Sequence, residues 1–297
     1  MQIGNVRIVN FMSFQGEFRC SFCCGVNVII GGNSTGKTTL LKLMYAAGKS
    51  SLFEYFQNLP KSVEADDVIE IGYFNGIPQE HIFIPEMDML SHSKSTLAMF
   101  NKREIAFDNT YIDILVNAEL GAAKEISEAA QKLLDKISDI IGGYVEYEND
   151  TFHIVSEDRK TPFSLESSGY RKFGLLWKLL RNGLLESGAV LFWDEPENSL
   201  NPELMPELVE ILLELQKAGV QIFITTHSYS IAKWFDVKRT EEHNVMFYNL
   251  SKKKDGGIKC VSASEYTKLP ESVIDKADGK LFKAVVSSAL GVGDNDD

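Results

Sequence analysis

A chain of 297 residues is long enough for one large domain or for a core with a smaller lobe, and 44% hydrophobic against 24% charged residues is a globular balance. Acidic residues outnumber basic ones 42 to 30, a formal net charge of −12. That is the wrong sign for gripping nucleic acid over a whole surface and leaves room for only a local basic groove. No apolar run approaches the ~20 residues that span a bilayer and no signal-like segment opens the sequence. A cytoplasmic protein without a membrane partner is expected.

Residues 3–30 alternate as two strands joined near Phe14-Gln15-Gly16-Glu17. Residues 18–30 are apolar but punctuated by Arg19, Ser21, Gly25 and Asn27, which suits a strand pair, and 26–30 reads as a β-branched buried strand. Cys20, Cys23 and Cys24 crowd this region. No second C-x-x-C follows and Cys260 stands alone in the sequence, so buried reduced thiols are expected instead of a metal or redox site.

The next residues, Gly31-Gly32-Asn33-Ser34-Thr35-Gly36-Lys37-Thr38-Thr39, fit G-x-x-x-x-G-K-[ST]. The chemistry needs those types at that spacing. Glycines let successive backbone N–H groups turn inward on phosphate oxygens, the lysine reaches the β- and γ-phosphates, and the hydroxyl of Thr38 completes a Mg²⁺ shell. A strand before the loop and a helix over 39–47 supply the required context. This loop is expected to bind a nucleoside triphosphate with Mg²⁺.

Between 48 and 165 the sequence shows no nucleotide chemistry of its own. Strands are expected over 68–74 and 81–84. Apolar residues from Ile112 to Ile141 recur at three-to-four spacing, predicting one or two amphipathic helices on the core. Gly142-Gly143 ends them, and Tyr144–Glu148 with Thr151–Val155 forms a hairpin around Asn149-Asp150. From 167 the pattern alternates helix and strand, the mark of a parallel α/β sheet. Phe173 to Leu184 is a helix, 189–193 a buried strand, Leu204 to Leu215 a helix with Pro202 in its first turn, and 220–225 a buried strand. A hairpin over 245–250 and 258–261 turns at Asp255-Gly256-Gly257, a short helix covers 281–290, and the acidic tail 291–297 is expected to fray.

The strand at 189–193 ends in Asp194-Glu195, two adjacent carboxylates. Asp194 is placed to hold Mg²⁺ and Glu195 to polarise the water that attacks the γ-phosphate. The next strand ends in Thr225-Thr226-His227-Ser228, where His227 can donate to the γ-phosphate or orient the water. Ser167-Ser168-Gly169 precede a helix, and a helix N-terminus after small residues makes an anion site. Lys37 already serves the phosphate in its own loop, so this second site suits the nucleotide of another subunit.

The order of 31–38, Ser167 to Gly169, Asp194-Glu195 and His227 resembles the Walker A, signature, Walker B and switch histidine of ABC-type ATPases. The opening Asn10-Phe11 with Ser13-Phe14, and the loop Glu195-Pro196-Glu197-Asn198-Ser199-Leu200-Asn201-Pro202, resemble the SMC/RecF/OLD-like branch. The match covers about 1–47 and 160–250. It implies an α/β P-loop NTPase fold with an ABC-type head, a mixed, largely parallel central sheet and a small helical lobe at 48–165 inside one domain. It also implies two copies sandwiching two ATP molecules, each P-loop capped by the other copy's Ser167, Ser168 and Gly169. Ser168 stands where the family usually has glycine and Asn201 where it has aspartate, which bears on turnover. The resemblance puts Glu86, after the strand at 81–84, at the family's Q-loop position beside the Mg²⁺, with Gln79 a weaker candidate. Stand-alone members often accompany a separate nuclease or toxin in anti-phage or toxin–antitoxin-like systems, and such an effector is the expected partner of a homodimer or higher oligomer. The residues after Leu250 are too few for the TOPRIM nuclease of OLD proteins, and 48–165 too few for SMC coiled-coil arms. A RecF-like DNA-repair ATPase and the nucleotide-binding subunit of a transporter are the competing expectations.

Overall fold

Alternating burial marks the first two strands as one-sided, whereas unbroken burial marks the third as central to a sheet covered on both faces. The computed structural model describes residues 2–47, 52–56, 68–74, 80–93, 108–270 and 273–290. β1 (Gln2–Phe11) and β2 (Phe14–Ser21) form a hairpin, and β3 (Val26–Gly31) leads through the P-loop into α1 (Lys37–Ala46). β4 (Ile69–Phe74) and β5 (His81–Ile84) follow, then α2 (Asn109–Glu119), α3 (Glu128–Ile141) and the small strands β6 (Tyr144–Glu148), β7 (Thr151–Val155) and β8 (Lys160–Pro162). α4 (Ser168–Arg181), β9 (Val190–Asp194), α5 (Met205–Lys217), β10 (Gln221–Thr226) and α6 (Tyr229–Lys238) alternate as the spacing predicts. The hairpin of β11 (Val245–Lys252) and β12 (Ile258–Ala263) precedes α7 (Val273–Leu290).

The central sheet has the order β12-β11-β3-β10-β9-β5. β11, β3, β10, β9 and β5 run parallel, and only β12 is antiparallel. This is the mixed, mainly parallel α/β sheet expected of a P-loop NTPase head. A separate antiparallel sheet, β2-β1-β4, covers α1 from the other side. One apolar cluster joins that sheet, α1 and one face of the central sheet, through Phe14, Leu40, Phe192 and Phe223. The other joins the opposite face to α2 through α6, through Ile114, Ile137, Leu176 and Leu212. Stretch 48–165 therefore contains core strands as well as helices: β4 pairs with β1, and β5 forms the edge beside β9.

Several details differ from expectation. The first turn lies at Met12-Ser13, not at 14–17, because Phe11 pairs with Phe14 across it and Phe14 starts β2. β2 and β3 do not pair with each other; they enter different sheets. The amphipathic stretch, by contrast, forms two helices, within the one or two expected, capped separately by Asp108 and Ser127. Pro202 sits in a 3-10 turn, Pro202–Leu204, one step ahead of α5. The C-terminal helix starts eight residues earlier than predicted, since mixed charges hide its first turns from an apolar-stripe reading. Gln79 and the tail 291–297 lie outside the described residues.

Candidate nucleotide site

Parallel pairing in register brings the site together. Thr225 lies opposite both Ile29 and Asp194, and Ile84 lies opposite Trp193, so β3, β10, β9 and β5 all end at one edge of the sheet. The P-loop, His227, Asp194-Glu195 and Glu86 leave those four ends, where open parallel sheets bind ligands.

The P-loop conformation depends on glycine for two different reasons. Gly36 has φ of 83°, and a Cβ there would also stand 2.9 Å from the Phe14 ring. At Gly31 the reason is close approach: a Cβ would come within 2.6 Å of the Leu250 carbonyl oxygen. The tightly turned N-terminus of β2 thus packs under the loop, and Ser13 joins residues 33–39 and His227 around a cavity of about 270 Å³. A larger cleft of about 640 Å³ lies between α6 and α7, but it holds no P-loop residue; chemistry, not size, identifies the phosphate site. Gly31 and Gly32 do not line the cavity. Their carbonyls accept from Lys37 Nζ at 3.0 and 3.3 Å and fix the lysine across the loop.

Thr38 Oγ1 donates to Asp194 at 2.9 Å, joining the two oxygens expected to share a cation. Asp194 is buried and also accepts from Thr225 Oγ1. A hydroxyl and a carboxylate form a hard-oxygen pair suited to a divalent ion such as Mg²⁺. Beside them, His227 Nε2 stands 2.9 Å from Lys37 Nζ and 2.9 Å from Glu195 Oε1. That nitrogen can accept from the ammonium or donate to the carboxylate, not both. Burial and the neighbouring Lys37 lower the His227 pKa, and burial lowers that of Lys37. Glu195 is pushed up to about 7, first by burial and then by the carboxylates of Glu86, Asp194 and Glu197. A carboxylate that titrates near neutrality is matched to taking a proton from water. Its backbone is held at φ 49°, a left-handed conformation costing about 1–2 kcal/mol for a non-glycine residue. The Glu195 amide donates to the Thr225 carbonyl at 3.1 Å and keeps that turn in place.

Glu86 reaches the same edge. It accepts from Asn198 Nδ2 at 2.7 Å, and its charge helps to raise Glu195. Ser167 caps α4, accepting from the Tyr170 amide at 3.3 Å, while Ser168 Oγ donates to the Ser199 carbonyl. A Cβ on Gly169 would meet Leu204 and Leu200 at 3.1 and 3.3 Å. Ser168 and Gly169 therefore pack against the loop after Glu195, and none of the three lines the P-loop cavity. Both departures from the family pattern have local work: Ser168 ties α4 to that loop, and Asn201 caps the 3-10 turn by accepting from the Glu203 amide at 3.2 Å.

Sequence reasoning assigned no role to Glu197, Thr226 or Lys172. Glu197 accepts from Thr226 Oγ1 and, at 3.3 Å, from the His227 amide, so it fastens the switch segment to the Walker B loop. Burial raises its pKa. Lys172, on α4, donates to the Pro196 carbonyl at 2.8 Å, and burial pushes it down to about 8. The available signal was a carboxylate two residues beyond Glu195 in a loop that must return across the next strand.

Residues 92–232, a little under half of the chain, match the family described as "AAA domain, putative AbiEii toxin, Type IV TA system". The L-cystine import ATP-binding protein TcyC of Bacillus subtilis is 21% identical over 214 residues, covering 70% of this chain and 71% of its own length. The arginine transport ATP-binding protein ArtM of the same organism is 21% identical over 210 residues, 70% of this chain and 72% of the relative. In fold, the chain is similar to the SMC head bound to the C-winged helix domain of ScpA, at TM-score 0.54 and 14% identity, with 91% and 100% of the two chains covered. It is also similar to MJ1267, an ATP-binding cassette of an ABC transporter, at TM-score 0.52 and 17% identity, with 96% and 99% covered.

Fold and site together define a P-loop NTPase fold with an ABC-type head. The opening turn, which packs under Gly36, and the loop beyond Asp194-Glu195 are the parts of the chain that carry its resemblance to the SMC/RecF-like branch. Among the described residues no helix is long and apolar enough to cross a membrane.

Proposed function

We propose that this ATPase is a cytoplasmic switch that closes head to tail around two ATP molecules, reopens on hydrolysis, and so controls a separate protein effector, a nuclease or toxin, in anti-phage defence. The observation that carries this reading is the division of the site. Lys37, Thr38 and His227 line one cavity and hold Asp194 and Glu195 beside it, whereas Ser168 and Gly169 contact the loop beyond Glu195 instead. A helix N-terminus held on the loop beyond Glu195 instead of on its own P-loop is suited to capping the P-loop of a second copy, with the α4 N-terminus supplying amide donors.

Within each half-site, the P-loop amides and Lys37 bind the phosphates. Thr38 and Asp194 would hold Mg²⁺, which neutralises phosphate charge. Glu195 takes the proton of the attacking water, and His227, released from Lys37 and Glu195, donates to the γ-phosphate. Glu86 is proposed as the Q-loop residue of this centre. The description of the matching family names a type IV toxin–antitoxin system, which supports a defence setting for the switch.

The transporter relatives favour one other reading, the nucleotide-binding subunit of an importer. A permease in membrane fractions, co-purifying with the chain, distinguishes it. The central test is Glu195→Gln, which keeps shape and hydrogen bonding but removes the base. It is expected to retain ATP, lose at least about 100-fold in turnover, and sediment as a dimer with ATP and Mg²⁺. Lys37→Ala is expected to lose ATP binding itself. A monomeric Glu195→Gln protein with ATP bound refutes the head-to-tail switch.

A further inference from the structure

Cys260 stands alone in the sequence, yet the fold places it against Cys20, with the two Sγ atoms 3.2 Å apart across 240 positions of chain. Cys20 is buried on β2, and Cys260 is half-buried on β12. We propose that Cys20 and Cys260 are a reversible oxidation site that closes to a disulfide when the protein meets a peroxide. A covalent S–S bond is about 2.05 Å long, so closing the pair asks for a shift of about 1 Å shared between two side chains.

The pair is set apart from the other two thiols by its surroundings. Cys23 Sγ is turned to the Val26 carbonyl at 3.4 Å, and Cys24 is exposed and accepts from Asn244 Nδ2 at 3.0 Å. Cys260, reachable from solvent, is the thiol that meets the oxidant. Its thiolate attacks one peroxide oxygen, the O–O bond breaks, and Cys260 sulfenic acid and hydroxide form. Cys20 then attacks that sulfur. The S–O bond breaks, the S–S bond forms, and the Cys20 proton leaves with the departing hydroxyl as water. Two thiols lose two electrons in all, and one peroxide becomes two waters. Contact with Cys260 and burial hold Cys20 protonated, far above the usual thiol range. The second step is therefore slow, which suits a response to sustained oxidant.

The location gives the bond a consequence. Cys260 is paired in register with Leu250, whose carbonyl crowds Gly31, and Cys20 lies on the strand whose first residue, Phe14, packs under Gly36. The bridge would join the antiparallel sheet to the edge of the central sheet, linking β2, whose first residue packs under the P-loop, to β12, the neighbour of the strand whose carbonyl crowds Gly31. This inference does not depend on the proposed switch or its effector.

The experiment is peptide mapping of the full chain after treatment with hydrogen peroxide, without reduction, together with thermal unfolding. The expected product is a linked peptide containing Cys20 and Cys260, lighter by two hydrogens than the separate peptides and abolished by reductant. The oxidised protein should melt about 4–8 °C higher than the reduced one. Cys24→Ser should keep both effects, and Cys260→Ser should lose both. The proposal is overturned if Cys20 stays open to alkylation in the unfolded, peroxide-treated chain, or if Cys260 is found linked to Cys23, Cys24 or a second copy. Because mapping is done on the wild type, it stands even if a serine variant fails to fold.

Discussion

Glu195→Gln should make the nucleotide-free protein more stable, by an amount that grows from about pH 4.5 to pH 7 and is constant above it. In the unfolded chain this carboxylate loses its proton near 4.5, whereas in the fold it holds the proton up to about 7. Between those values the folded state binds more protons, so the wild type loses stability as pH rises through that window, and the full cost is present above pH 7. A rise of that size corresponds to about 3 kcal/mol at most. The side chain keeps 22% of its exposure, and solvent screening brings the expected cost to about 1–2 kcal/mol. Glutamine keeps an acceptor for His227 but carries no charge beside Glu86, Asp194 and Glu197. At pH 8 the variant should therefore melt about 2–5 °C above the wild type, and at pH 4.5 the two should coincide. Differential scanning calorimetry from pH 4.5 to 8.5, without nucleotide, gives the comparison. A difference independent of pH refutes the argument. A variant less stable above pH 7 would mean that the contacts of Glu195 with His227 and Lys37 outweigh its burial.

Two other substitutions test the framework around the site. Glu197→Ala removes the acceptor for Thr226 and for the His227 amide, so kcat should fall about 10-fold with KM for ATP within about 2-fold, and Glu197→Gln should recover most of the rate; equal effects on kcat and stability, without rescue, would reduce Glu197 to a packing role. Gly36→Ala forces a Cβ onto a left-handed position 2.9 Å from Phe14 and should cost about 1–3 kcal/mol in urea unfolding, together with loss of nucleotide affinity.

Much of the fold was legible because its signals are local. Unbroken burial of Val26–Gly31, Val190–Asp194 and Gln221–Thr226 follows from runs of β-branched and aromatic residues, which only a two-sided parallel sheet can hide. The P-loop and the Asp194-Glu195 pair were readable because their chemistry constrains spacing along the chain. What stayed hidden depends on contacts across it. Glu197 looks like one more acidic loop residue until the register of β9 against β10 brings it to Thr226. The same holds for Ser13 at the P-loop and for Cys260 beside Cys20, each made meaningful by an element far away in sequence.

The hidden contacts also bear on how a nucleotide signal could leave the site. α4 carries the signature at its N-terminus and, one turn further on, Lys172, whose ammonium grips the Pro196 carbonyl. Pro196 adjoins Glu197, which grips the segment carrying His227. The group that would contact the γ-phosphate in one half-site is thus three steps (two hydrogen bonds and one peptide link) from the helix whose end would cap a partner's ATP. Burial keeps those steps short of competing water: Glu197 and Lys172 both have pKa values displaced toward their neutral forms, so a lost partner is not cheaply replaced by solvent. A movement of His227 on phosphate release would therefore strain the Glu197 contact before it strained the flanking strands, which are fixed by continuous ladders. The α4 N-terminus, held to the same loop by Ser168, is the element that such strain reaches next.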